Sequence, residues 1–363
     1  MTVVRDAMIV AGGAGTRLRP LTLTTPKPLL PFCGAPFLTG VIRRLAAVGV
    51  DRVLLVVGAD TAPFEVLADD GAAHGVAVEA VPEPEPLDTA GGVRAALERV
   101  RGTFLVLNGD ILTGVDLAAV TATHARAGAA ATLVLTRVED TSTYGVCVRE
   151  GTRIVDFVEK PAPGSLPGQD TVNAGTYVLE PDALARFPEG RLSFERTVFP
   201  GLVAAGEHVE GHVDDGVWAD LGTPERFLHG HRLALDGQLT WPPLEDLPAD
   251  AGGVRRAGDV QVAPDAVVTG PALLLSGARV AAGARVGPHV VLGRGATVGP
   301  GTSVADAVVF DGARLGADAR VAGSLVGRGA TVGDGALLTD DVVVGDGVAV
   351  PAGTVAPTGA RLA

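Results

Sequence analysis

At 363 residues, 47% of them hydrophobic, the chain is too long for one ordinary core and suits two domains. A net charge of −13 argues against nucleic acid or an anionic membrane as partner. Any phosphate site must therefore be local, built from a few cations, backbone N–H groups and a metal ion. With no arginine-rich leader and no apolar run near about 18 residues, neither secretion nor membrane spanning is expected, and a cytoplasmic location is.

Strands are expected at Ala7–Val10, Arg52–Val57, Ala77–Val81, Thr103–Leu107, Ala131–Thr136, Val146–Arg149, Ile154–Val158 and Gly175–Leu179. Helices are expected at Phe37–Val48, Ala90–Arg99, Leu117–Ala127 and Pro224–Leu235, the last with Thr223 as N-cap and Pro224 at N1. Early alternation of strand and helix predicts a Rossmann-like, doubly wound sheet. The later strands, with few helices between them, predict an antiparallel addition that makes the sheet mixed and holds a second substrate. This first domain is placed at residues 1–235, followed by a Pro- and Gly-punctuated linker at 236–258.

Over residues 259–357 the pattern changes. Aliphatic residues recur every six positions at Val262, Val268, Leu274, Val280, Val286, Leu292, Val298 and Val304. The register slips, resumes at Leu315 and Val321, slips again and runs through Val332, Leu338, Val344 and Val350. A period of six fits neither a helix nor an isolated strand. It fits a left-handed parallel β-helix of hexapeptide repeats, with one hexad per flat side and about five coils.

Lysine is scarce: of 29 basic residues only Lys27 and Lys160 are lysines, each followed by proline. A lysine that survives such a bias is needed as a compact, flexible point charge. Cys33 and Cys147 have no metal-ligand spacing and read as small buried side chains in a reducing compartment.

Directly after the first strand, Ala11 to Pro31 reads AGGAGTRLRPLTLTTPKPLLP. A glycine-rich turn at a strand's C-terminal edge lets backbone N–H groups approach phosphate. Gly12, Gly13 and Gly15 alone fit a tight structural turn equally well, and their spacing matches neither the dinucleotide fingerprint nor the P-loop. Arg17 and Lys27 add two cations to one loop, stiffened by Pro20, Pro26, Pro28 and Pro31.

The whole of GGAGTRLRPLT and TPKPLLPF resembles the signature of the sugar-1-phosphate nucleotidyltransferases, a likeness that extends to about residue 230. The hexad domain resembles the tail on several branches of that family. The resemblance implies that the backbone from Ala11 through Gly12, Gly13 and Gly15 to Thr16 wraps the nucleotide's phosphates. It implies that Arg17 holds the departing pyrophosphate and that Lys27 bridges phosphates in the transition state.

Two carboxylates fit this loop. Asp110 follows Asn108 and Gly109 at the edge of a central strand, and Asp220 lies just before the Thr223–Pro224 helix start. Either alone reads as a cap or turn residue. Together, beside a phosphate loop, they read as ligands of Mg²⁺, which prefers oxygen donors, and the resemblance makes both the metal-binding aspartates. Asp116 and Asp156 read as decoys, with capping and surface roles.

On the acceptor side, Glu159–Lys160 read first as a solvated ion pair. The resemblance instead makes Lys160 the cation for the sugar-1-phosphate, with Glu159 on sugar hydroxyls and Tyr144, Gly145, Asn173 and Ala174 around the sugar. Pro86–Gly92 reads PLDTAGG, where the resemblance implies that Asp88, Thr89, Ala90 and Gly91 meet the nucleotide. Guanosine-using relatives carry LGTAG here, so the resemblance leans to GTP and mannose-1-phosphate. Asp88 stands where glycine is usual, and its carboxylate could accept from guanine or face solvent. Another nucleotide, a cyclitol or heptose phosphate, or a non-catalytic regulatory subunit are the alternatives. An acyltransferase would need a catalytic histidine in the coil, where only His289 occurs, at an expected corner. A homodimer or homotetramer is expected, built through the β-helix.

Overall fold

A computed structural model describes residues 4–138, 140–141, 145–159, 161–162, 164–166 and 168–363. Tyr144 and Lys160 lie outside the described residues, as does the side chain of Glu159. The chain divides into two compact units, one of Met1–Gly13 with Val41–Trp218, the other of Ala14–Gly40 with Ala219–Ala363.

The first unit holds β1 (Asp6–Val10), β2 (Arg52–Gly58), β3 (Ala77–Glu83), α1 (Asp88–Ala95), β4 (Phe104–Asn108), α2 (Leu117–Ala127), β5 (Ala131–Arg137), β6 (Gly145–Glu150), β7 (Arg153–Glu159), β8 (Thr171–Leu179) and β9 (Val209–Val213). They build a nine-stranded sheet in the order β3-β2-β1-β4-β8-β5-β9-β7-β6. The β3-β2-β1-β4 half is parallel, while β8 runs antiparallel to both β4 and β5. The sheet is therefore mixed, as expected. Its inner parallel strands β1, β2 and β4 are buried, mainly apolar runs because helices cover their faces, with Ala7, Met8 and Ile9 of β1 fully buried, while the edge strand β3 is half-exposed. Asp116 caps α2, accepting from the backbone N–H groups of Ala118 and Ala119 at 2.9 and 3.0 Å. Asp156 is exposed and accepts from its neighbour, the Phe157 N–H, at 2.8 Å.

The second unit is dominated by short parallel strands, a parallel β-helix. Val262 pairs with Val280 and Val280 with Val298, steps of eighteen residues. Val298 then pairs with Leu315 and Leu315 with Val332, steps of seventeen, before Val332 to Val350 returns to eighteen. The two slips in the hexad register are thus two coils one residue short. The paired aliphatic side chains fill the prism, and small residues such as Ala278, Ala284, Ala296 and Ala313 pack with them, all at 0% exposure. His289 sits at a corner with φ 55°, and its Nε2 lies 2.8 Å from the Asp236 carboxylate.

Candidate active site

In the second unit the loop from Ala14 folds into successive short turns. Gly15 has φ 58°, and a Cβ there would lie 2.9 Å from that of Lys27, so only glycine lets the two turns close up. Thr22 Oγ1 ties the turn by donating to the Gly15 carbonyl at 2.8 Å.

The cations of this loop converge on one carboxylate. Lys27 Nζ lies 3.8 Å from Asp220 Oδ1, and Arg17 Nη2 lies 4.0 Å from Oδ2. Arg226, in the first turn of α3 (Pro224–Leu235), donates to Oδ2 at 2.8 Å. Asp220 Oδ1 is buried and accepts no hydrogen bond. Three cations around one carboxylate exceed what that carboxylate needs, and the surplus positive charge suits a polyanion. An oxygen left without a hydrogen-bond donor also suits a hard cation. Arg226 was not singled out from sequence. The signal was available: a cation in a first helical turn opposes the macrodipole and needs an anion to hold it there.

In the first unit β1 ends at Val10, whose carbonyl accepts from the Gly109 N–H at 2.8 Å. A Cβ on Gly109 would lie 2.9 Å from that carbonyl and 3.2 Å from Ala11 Cβ, so the Asn108–Gly109–Asp110 turn lies against the start of the glycine turn. Glu83, at the end of β3, reaches the same place. A Cβ on Gly12 would lie 3.2 Å from Glu83 Oε2, and one on Gly92 2.7 Å from Oε1. Oε1 is buried and unpaired. Burial, reinforced by the charge of Asp88, pushes the Glu83 carboxyl above its ordinary range, against an opposing hydrogen bond from the Leu87 backbone. Sequence reading missed Glu83 because it stands in the acidic, proline-broken stretch Glu83–Pro86, which resembles a linker.

Asp88 neither faces solvent nor offers a free carboxylate. Its φ is 67°, Arg196 Nη2 donates to Oδ2 at 2.6 Å, and Arg191 Nε is 3.7 Å away. Thr89 Oγ1 donates to Glu195 Oε2 at 2.7 Å, and the N–H groups of Ala90 and Gly91 donate to the Leu192 carbonyl.

A cavity of about 350 Å³ opens in the same unit, lined by Gly145, Asn173 and Ala174 together with Asn108. Glu195, Arg196 and Trp218, not foreseen from sequence, line it too. Asn173 is locked at both ends of its amide, donating to the Tyr177 hydroxyl at 2.8 Å and accepting from the Gly175 N–H at 2.9 Å. Trp218 Nε1 donates to the Ala174 carbonyl at 3.0 Å, which fixes the indole as a wall. Cys147 also lines the cavity, its thiol pushed up to about 12 by burial and therefore unreactive.

The nucleotidyl transferase family matches residues 6–237, most of the chain. The chain belongs to that family. Residues 268–358 match the GMPPB C-terminal domain. A mannose-1-phosphate guanylyltransferase of Mycobacterium tuberculosis is 44% identical over 243 residues, 66% of this chain and 67% of that protein. The mannose-1-phosphate guanylyltransferase catalytic subunit beta of Danio rerio is 37% identical over 236 residues, 63% of this chain and 64% of that protein. The matched part thus spans about two thirds of these relatives. Among solved structures, HddC from Yersinia pseudotuberculosis superposes with a TM-score of 0.52 at 26% identity, covering 62% of this chain and 98% of that one. A putative glucose-1-phosphate thymidylyltransferase from Bacillus anthracis superposes at 0.57 with 21% identity, over 63% and 94% of the two chains, a likeness of fold. Sugar-1-phosphate nucleotidyl transfer is the activity this membership supports, and the family typically uses a divalent metal. Among the described residues no helix is long and apolar enough to cross a membrane.

Proposed function

We propose that the protein transfers the guanylyl group of GTP to mannose-1-phosphate, giving GDP-mannose and pyrophosphate, in the cytoplasm and with Mg²⁺. The observation that carries this reading is the gathering on Asp220 of Arg226 with Arg17 and Lys27, the latter two in a loop that resembles the family's signature.

A sugar-phosphate oxygen attacks the α-phosphorus in line, and pyrophosphate leaves. The nucleophile is already an anion, so no general base is needed. The barrier lies in bringing anions together and in the charge of the leaving group, so positioning and electrostatics supply the catalysis. Arg17 and Lys27 take up the triphosphate's charge, and the backbone of Ala11–Thr16 cradles its phosphates. Asp110 and Asp220 would hold the metal ion, whose contribution when bound is neutralisation of phosphate oxygens. Asp220 Oδ1, which accepts no hydrogen bond, fits that duty.

At the base, Glu83 takes the part first considered for Asp88. Guanine offers two adjacent donors, N1–H and N2–H₂, and a carboxylate whose buried Oε1 accepts no hydrogen bond suits them. Thr89, Ala90, Gly91, Asn108 and Gly109 complete the nucleotide's surroundings. Gly145, Asn173 and Ala174 shape the sugar pocket, with Tyr144, Glu159 and Lys160 assigned to the sugar phosphate by family resemblance. Hydrogen-bonded pockets of this kind can reject an epimer strongly. The assembly is a homodimer or homotetramer built through the β-helix, which a monomeric mass in light scattering would refute.

The test is a matrix of ATP, CTP, GTP, UTP and dTTP against mannose-1-phosphate and other sugar-1-phosphates, scored by pyrophosphate release with and without Mg²⁺. GTP with mannose-1-phosphate is expected to lead, and release only with Mg²⁺. Equal rates with every base, or none with any pair, would sink the reading.

A further inference from the structure

The loop that carries Arg17 and Lys27 is anchored to the β-helix by a polar contact its own turns do not require. Thr24 Oγ1 donates to Asp346 Oδ2 at 2.7 Å, and Arg328 Nη1 donates to Thr25 Oγ1 at 2.8 Å. Pro20 rides directly on Gly345, where a Cβ would lie 3.1 Å from the proline ring. The other end of the loop is fixed too: the Cys33 N–H donates to His231 Nε2 at 3.2 Å, and the Phe32 ring packs edge-on against Trp241 at 5.1 Å. Lys27 lies between these two anchorages, its side chain only 10% exposed.

Asp346 has two separable contacts. Its Oδ1 accepts from the Arg328 N–H at 2.7 Å. Asp311 and Asp334 make the same bond to the N–H groups of Arg294 and Ala317, also at 2.7 Å. That bond belongs to the coil repeat. The Oδ2 contact to Thr24 does not, and the repeat gives no reason for it.

We propose that Asp346 and Arg328 are positioning residues for the phosphate-handling loop, so that the β-helix sets where Lys27 and Arg17 meet the triphosphate. The inference rests on the nucleotidyl-transfer reading. Misplacement of a catalytic group by about 1 Å can cost on the order of 100-fold in rate, and a single lost strut is expected to cost part of that.

Asp334→Ala is the internal control, since it removes the same coil bond without touching the loop. Both Asp334→Ala and Asp346→Ala should lower the thermal midpoint by similar amounts. Only Asp346→Ala should also lower kcat, by about tenfold, with KM for GTP changed less than about threefold. Asp346→Asn keeps an acceptor for the Arg328 N–H and a polar partner for Thr24, and should restore most of kcat. Thr24→Val should lower kcat in the same direction, and the double variant Thr24→Val/Asp346→Ala should be no slower than the slower single one, because both remove one bond. Equal kcat in Asp334→Ala and Asp346→Ala, or additive losses in the double variant, would overturn the proposal. An inactive wild-type protein would instead overturn the functional reading, and this inference with it.

Discussion

Two half-buried carboxylates mark opposite chemical strategies in this molecule. Asp220 stands among Arg17, Lys27 and Arg226, with more positive charge around it than it can neutralise. Glu83 has a buried oxygen with no donor, and burial raises its affinity for a proton. The first surrounding is built for charge: what displaces or joins the carboxylate must be a polyanion and its cation. The second is built for direction: what satisfies it must bring hydrogen-bond donors in a fixed pattern. On the proposed function, phosphate is bound by field and base by pattern, and a chain of net charge −13 keeps the field local by gathering Arg17, Lys27 and Arg226 around one carboxylate.

The largest effect should come from removing the charge at Asp220. Asp220→Asn leaves three cations facing a neutral amide. They are then freer to hold GTP, so KM for GTP should not rise, while kcat falls by about 1,000-fold, or about 4 kcal/mol. The Mg²⁺ concentration giving half-maximal rate should rise in parallel. A variant with near-normal kcat would remove Asp220 from the chemistry and leave the cations as a structural cluster.

Glu83→Gln tests the other strategy. An amide oxygen can still accept one bond, but the amide nitrogen presents a donor where guanine also presents donors. The kcat/KM with GTP should fall by about 100-fold, near 2.7 kcal/mol, with rates for other nucleotides unchanged or raised. A uniform fall across all triphosphates would mean that Glu83 merely supports Gly12 and Gly92.

Much of the architecture was legible because it is periodic. The hexads set the β-helix strand by strand, and even the register slips had a meaning, the seventeen-residue coils. Every strand of the nine-stranded sheet but β9 was expected from the sequence. β9 reads Val-Glu-Gly-His-Val, and its Glu210 is 6% exposed because His208 Nε2, 2.9 Å away, partners its carboxylate. A strand with a buried charge compensated at its edge gives no apolar signal. Among the residues proposed for catalysis, Arg17, Lys27, Asp110 and Asp220 stood out by motif and by the scarcity of lysine. Glu83, Glu195 and Arg196 did not, because what places them is tertiary: the close approach of Gly12 and Gly92, the hydrogen bond to Thr89 and the ion pair with Asp88.

Asp88 gives the smallest effect and the finest probe of how the base and sugar regions communicate. Its backbone has φ 67°, a region that costs a non-glycine residue on the order of 1 kcal/mol. Asp88→Gly relieves that strain and loses the pairing to Arg196 and Arg191, which are 68% and 78% exposed and so contribute little through it. The two changes oppose each other, and kcat/KM with GTP and mannose-1-phosphate should stay within about threefold of wild type. Arg196, however, also lines the cavity proposed for the sugar. A loss above about tenfold that falls on KM for mannose-1-phosphate alone would show that Asp88 holds Arg196 for the sugar phosphate, making this ion pair the link by which the two substrate sites are aligned.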